Sequence, residues 1–366
     1  MIVLRLGFLS GILVLAMAGW SFAKEQSRLN IYAWSGFLPP NIIQQFERET
    51  GITCSVDYYD SNEILEAKLL AQNSGYDIVF PTAWPYLARQ IEAHIYQPLN
   101  LDKIPNLMGA DKTILKHLSL ADPGNRHAVP FLWGVTGIGY NVKQVRALMP
   151  DLPLDSLALL FDPRLVASLS RCGVEVLDEA VDLFAAVLRY HKLNPYSKER
   201  HDIQQAENTL RRIRPFITRF DATRAVSDLA NGDACLVLHW SNDVALAQAQ
   251  AKSAGKGVEV QFMIPSEGTS IFIDTAAIPN DAPHVENAHR FLNFLLRPEI
   301  IAQVTTLTLS PNAIPASLKF IKDEIKNNPI IYIPLQQWQD IDFHATLSRS
   351  HERDLNRRLT RIKTGR

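Results

Sequence analysis

Cysteine is scarce in this chain. Only Cys54, Cys172 and Cys235 occur in 366 residues, with no C-x-x-C and no paired histidine, so the usual zinc spacings are missing. An excess of one charge is missing too. Thirty-seven basic residues stand against 38 acidic ones, which gives no reason to expect nucleic acid or an anionic membrane surface as partner. No nucleophile elbow, zinc-protease helix or phosphate loop is present, which lowers the case for an enzyme. Gly134, Gly137 and Gly139 are spaced G-x-x-G-x-G with no helix directly after them, which is not the dinucleotide fingerprint. Low-complexity blocks, internal repeats and Gly/Ser linkers are likewise absent.

A long hydrophobic run occurs at Leu6–Ala18, after Arg5 and before Ser21-Phe22-Ala23. It is short for a membrane span and reads as a secretory signal cleaved after residue 23, placing the protein outside the inner membrane, with an uncleaved membrane anchor as the blander alternative. No cysteine near the cut supports lipid attachment. Without that segment 36 basic and 38 acidic residues remain. An oxidising compartment then allows two of the three cysteines to be joined. Cys54 alternates with Val56 and Tyr58 and reads as a small buried hydrophobe.

With 47% apolar and 20% charged residues the remainder is ordinary globular protein, long enough for more than one compact unit. The stretch from Leu29 to Thr82 alternates strands at Leu29–Trp34, Thr53–Tyr59 and Tyr76–Phe80 with two helices. The first opens at Pro39-Pro40, turns Ile42, Ile43 and Phe46 inward and stops at Gly51. The second follows Asp60 as N-cap, with Glu63 three residues on and Ile64, Leu65 and Leu69 on one side. Such a succession predicts a parallel sheet whose ligands lie beyond the carboxyl ends of the strands, where Trp34-Ser35 and Pro81-Thr82 fall. The apolar run 128–142 predicts a β crossing between lobes, its glycines absorbing hinge motion. Residues 143–268 repeat the α/β rhythm, and Thr269–Ile278 predicts a second crossing. The expected class is therefore α/β with two lobes: 24–136 plus about 270–317, and 137–269 plus about 318–366. In the basic tail, Leu355, Leu359 and Ile362 have helical spacing and predict one docked stripe under a solvated basic face.

Acids beside aromatics at strand ends are the candidate site: Trp240 with Asp243, Phe272 with Asp274, and Asp178-Glu179 with Asp182. A ligand with an ammonium at each end needs carboxylates for its charges and aromatic faces for its methylenes. Blander readings compete. Asp243 suits the first turn of a helix, Asp182 a solvated helix start, and Trp34 and Trp240 a core. Asp274, inside an apolar β segment, needs a partner.

The runs YAWSGFLPP, FERETGI, YDSNE, LEAKL and YDIVFPT resemble the periplasmic polyamine-binding proteins of ABC importers, the putrescine type above all, over about residues 28–320. The resemblance implies the type II two-lobe binding-protein fold. It gives Trp34 and Ser35 as aromatic wall and polar contact, Phe37 where a Tyr is common, Thr82 as the hydroxyl after the third strand, and Trp84 where the family varies. Asp182 replaces the usual Glu; Trp240 with Asp243 and Phe272 with Asp274 match as they stand. Ser310 stands where a cleft Tyr is usual, and Glu179 adds an acid found in spermidine-type members. The contexts RCGVEVLD and NGDACLVL imply a Cys172–Cys235 disulfide. The expectation is a monomeric periplasmic receptor without catalysis, cofactor or metal. It would carry a polyamine, putrescine before spermidine, to an inner-membrane ABC permease. The alternatives are a polyamine sensor reporting to a membrane signalling protein, and the same fold holding another cationic solute.

Overall fold

The computed structural model describes residues 27–333, 341–343 and 347–365. The N-terminal signal expected at 1–23 lies outside them. Among the described residues no helix is long and apolar enough to cross a membrane.

Among the described residues ten strands form one sheet: β1 Arg28–Trp34, β2 Thr53–Tyr59, β3 Ile78–Val79, β4 Ala128–Asn141, β5 Val174–Val176, β6 Arg219–Phe220, β7 Leu236–Trp240, β8 Val260–Met263, β9 Thr269–Ala277 and β10 Ile341–Phe343. Their order is β2-β1-β3-β9-β4-β7-β5-β6, with β10 on β9 and β8 on β4. The first three strands are parallel, β1 pairing β2 from Arg28↔Thr53 to Trp34↔Tyr59, and so are β5, β6 and β7. β4 and β9 run antiparallel between these two parallel groups. Residues 128–135 of β4 pair with β9, and residues 136–141 pair with β7 and β8.

Period-two alternation along β1 sends its side chains to two cores. Leu29 and Ile31 join Phe46, Phe80, Phe131 and Phe291 on one face, and Tyr32 joins Tyr59, Leu65, Val79 and Trp133 on the other. A third core gathers Val174, Val176, Phe184, Leu210 and Leu238 with Leu355, Leu359 and Ile362 of the last helix, Arg349–Thr364. Cys172 and Cys235, 63 residues apart, are joined beneath it. Closing that loop contributes about 4 kcal/mol through the unfolded chain.

Local signals mostly hold. Pro40 opens a helix that runs to Thr50, and Gly51 ends it in the left-handed region at φ 70°. Two readings change. The Asn62–Leu70 helix is capped by Ser61, whose hydroxyl accepts the Ile64 N–H at 3.3 Å, because Asp60 is engaged by Ser35. That helix leaves Ile64 half exposed while Leu65 and Leu69 face the core. The β4 glycines also allow close packing: a Cβ on Gly134 would lie 2.4 Å from the Phe272 ring, and one on Gly137 2.3 Å from Phe262.

Candidate functional site

Beyond the carboxyl end of β3 the chain meets the middle of β9 at Thr82↔Asp274, and β1 lies on the other side of β3. Trp34, half-buried at the end of β1, donates its indole N–H to the Phe80 carbonyl at 3.0 Å and packs 4.8 Å from the Tyr59 ring. Tyr59 donates to the same carbonyl at 2.6 Å. Phe37 extends this wall, 6.0 Å from Trp34 and 6.0 Å from Phe131. Exposed Ser35 donates to Asp60 Oδ1 at 2.6 Å.

Thr82 bridges to Asp274, and its hydroxyl donates to Asp274 Oδ1 at 2.7 Å. Asn62 fixes the direction of that proton. Its Nδ2 donates to Thr82 Oγ1 at 3.0 Å while its Oδ1 accepts the Thr82 N–H at 3.1 Å, which leaves the threonine proton for the carboxylate. Asp274 is 6% exposed, and no cation among the described residues pairs with it. Burial pushes its carboxyl up to about 7, against the lowering effect of the Thr82 hydrogen bond. Trp84 is half-buried nearby in the chain, and its indole N–H has no partner among the described residues.

Phe272, two residues before Asp274, lies across Gly134 and meets the Trp240 ring edge-on at 6.4 Å. Trp240 ends β7, opposite Thr136 of β4. Asp243 follows in the first turn of the Ser241–Ala254 helix, as the helix-start reading of that acid has it. Its Oδ1 accepts from Asn242 Nδ2 at 3.1 Å, and its Oδ2 lies 3.2 Å from His239 Nδ1. The Trp240–Phe272 ring pair thus neighbours two carboxylates in the chain, Asp274 two residues on within β9 and Asp243 three residues on in the helix after β7.

Two further acids begin the helix after β5. Asp182 accepts from Thr136 Oγ1 at 3.1 Å and shares a small cavity with Arg189, whose guanidinium donates to Ser270 Oγ at 2.9 Å. Half-buried Glu179 is pushed up to about 8, first by burial and then by Glu63, Asp182, Asp178 and Glu352. Ser310 is 2% exposed. It sits next to Pro311, whose carbonyl accepts the Trp133 N–H at 3.0 Å on β4. A cavity of about 340 Å³ lies beside residues 311–318, lined by Trp133, Asn312 and Tyr332, and none of the candidate acids at 179, 182, 243 or 274 reaches it.

The sequence reading passed over Asn62, Glu63 and Tyr59. All three lie at or just beyond the carboxyl end of β2, the same sheet edge as Trp34 and Thr82, so the strand-end rule had them within reach. His239 gave no such signal. Among the described residues no group of three or more His, Cys, Asp or Glu is arranged to hold a metal.

The arrangement offers negative charge, aromatic faces and few cations, which suits a ligand positive at its ends and apolar between them. Residues 41–332 match the family model described as bacterial extracellular solute-binding protein. Over 96% of this chain and 95% of the relative, the sequence is 39% identical to the putrescine-binding periplasmic protein SpuD of Pseudomonas aeruginosa. It is 38% identical to the putrescine-binding periplasmic protein PotF of Escherichia coli, over 98% and 97% of the two chains. A putative spermidine/putrescine ABC transporter structure from Listeria monocytogenes superposes with a TM-score of 0.81 at 23% identity, covering 93% of this chain and all of that one. Its likeness speaks to the two-lobed α/β fold. This chain belongs to the bacterial extracellular solute-binding proteins.

Proposed function

We propose that this protein is a periplasmic receptor that captures a linear polyamine, putrescine first, and delivers it to an inner-membrane ABC permease. The observation that carries the reading is Asp274: a buried carboxylate with a hydroxyl but, among the described residues, no cation as its partner, two residues after Phe272, whose ring meets Trp240. A protonated amine supplies the missing charge. Asp243 takes the second ammonium, Trp34, Trp240 and Phe272 enclose the methylenes, and Ser35, Phe37, Thr82 and Trp84 complete the first lobe's wall. Glu179 and Asp182 assist from the second lobe, Glu179 being the one placed to favour a longer amine. The relatives named as putrescine-binding periplasmic proteins support both ligand class and compartment.

In this reading the lobes are 24–136 plus about 270–317, and 137–269 plus about 318–366, with β4 and β9 passing between them. The change of partners along β4 supports that division. Closure on the ligand then creates the shape the permease reads.

Calorimetric titration of the mature protein, unfolded and refolded to strip it of ligand with the disulfide intact, tests the reading against putrescine, cadaverine, spermidine and norspermidine. Micromolar or tighter binding of a diamine is expected. Binding of none of the four would overturn it.

A further inference from the structure

Arg189 brings a buried positive charge close to a site made for positive ligands. It lies in the last turn of the Ala180–Tyr190 helix and is 6% exposed. Its guanidinium donates to Ser270 Oγ at 2.9 Å, and the same oxygen is hydrogen-bonded to the buried Tyr196 hydroxyl. Alternation along β9 puts Ser270 on the face that carries Phe272 and Asp274. The guanidinium therefore reaches the sheet two positions before the aromatic pair.

Hydroxyls do not offset a full charge, and a buried cation left without an anion is strongly destabilising. Asp182 is the acid that meets this need. It lines the same small cavity as Arg189, and no other charged residue among the described ones does. The two stand two turns apart on one face of the helix, and long helical side chains lean back toward the N-terminus, so Arg189 reaches toward Asp182. The neighbouring acids are engaged elsewhere: Asp178 by Lys363, Glu207 by Arg211 and Arg358, Asp202 by Ser197, and Glu267 by Ser156 and the Leu157 N–H. Asp182 in turn accepts from Thr136, which stands opposite Trp240 in the sheet. Glu179, pushed up to about 8, is largely protonated at neutral pH and leaves this balance unchanged.

We propose that Arg189 is a specificity-determining residue: by offsetting Asp182 it leaves the site with carboxylates for two ammonium groups and turns away a third. Asp182 then offers a hydrogen-bond acceptor without net charge. Asp274 and Asp243 hold the two ends of a diamine, whereas an extra ammonium near Asp182 meets a like charge. The inference rests on the polyamine reading of the site and narrows its ligand class to linear diamines.

Calorimetry of the refolded protein with putrescine and spermidine tests it on Arg189→Met, which removes the charge and keeps an unbranched apolar stem. The ratio of spermidine to putrescine affinity should rise at least about tenfold, because the third ammonium then meets Asp182 instead of a like charge. Adding Asp182→Asn to that variant should bring the ratio back toward the wild type's, a return that mere loosening of the site would not give. Should Arg189→Met fail to refold, Arg189→Gln carries the same test while keeping a donor for Ser270. An unchanged ratio in the folded single variant, or a raised one that the second substitution leaves in place, overturns the inference alone. So does a wild type that binds spermidine more tightly than putrescine. Binding of neither amine by the wild type overturns it together with the polyamine reading.

Discussion

At the scale of single residues, Asp274 carries the strongest expectations. Asp274→Ala should weaken putrescine binding at least about tenfold, because it leaves an ammonium unpaired in a desolvated site; an unchanged dissociation constant by calorimetry would refute its role. Its carboxyl, raised to about 7, must ionise to pair with an ammonium, and Glu179, raised to about 8, adds to the trend. Affinity should therefore fall as pH drops below about 7, by up to about tenfold per unit for Asp274 alone. For stability the sign is opposite. The folded value lies above the unfolded one, so burying Asp274 is tolerated while it is protonated and costs stability as pH rises from about 4 through about 7. Asp274→Asn should accordingly raise the Tm of the ligand-free protein at pH 8 and change it less at pH 5, while abolishing binding. The acids and aromatics that make up the candidate site were legible in the sequence because such residues stand out at strand ends. The Asn62–Thr82–Asp274 chain was not, since it joins residues 192 apart in sequence.

At the scale of elements, what could be read followed from local chemistry. Pro40 and Gly51 mark a helix because their backbone restrictions act without tertiary help. Asp60 misled because a better use of its carboxylate, accepting from Ser35, depends on the β1–β2 pairing. β10 was illegible for a similar reason. Its three residues gain their strand only by pairing parallel to β9 at Ile341↔Thr269 through Phe343↔Ile271. β4 invites a test of its own. Gly134→Ala would push a Cβ into the Phe272 ring, and overpacking of this sort costs about 1–3 kcal/mol. A lower Tm together with weaker putrescine binding is expected, since Phe272 must leave the wall of the site; unchanged affinity would mean that the ring relaxes without consequence.

At the scale of the whole molecule, the last helix ties distant parts together. Its apolar stripe docks as expected, but its bases are not simply solvated. Arg349 pairs with Glu66 at 3.1 Å, Arg358 with Glu207 and Asp354, and Lys363 with Asp178. Glu352 meets Arg89, which also pairs with Glu66 at 2.7 Å and stacks over the Tyr86 ring at 4.4 Å. A helix packed on the Ala180–Tyr190 and Arg200–Ile213 helices is thus bound by charge to helices beside β2 and β3. Glu352→Gln removes one anion from this group while keeping its shape. On the proposed division of lobes these pairs run from one lobe to the other, so stopped-flow measurement should find ligand release several-fold faster; an unchanged rate would show that they do not resist opening.

Cys54 has a practical consequence for following that motion. Its sulfur is half-buried, and burial pushes the thiol up to about 12. At neutral pH only about one molecule in 100,000 carries the reactive thiolate. With Cys172 and Cys235 joined, the native protein is nearly blank to thiol reagents. A dye placed on one introduced surface cysteine would report closure optically, without first engineering away the native thiol.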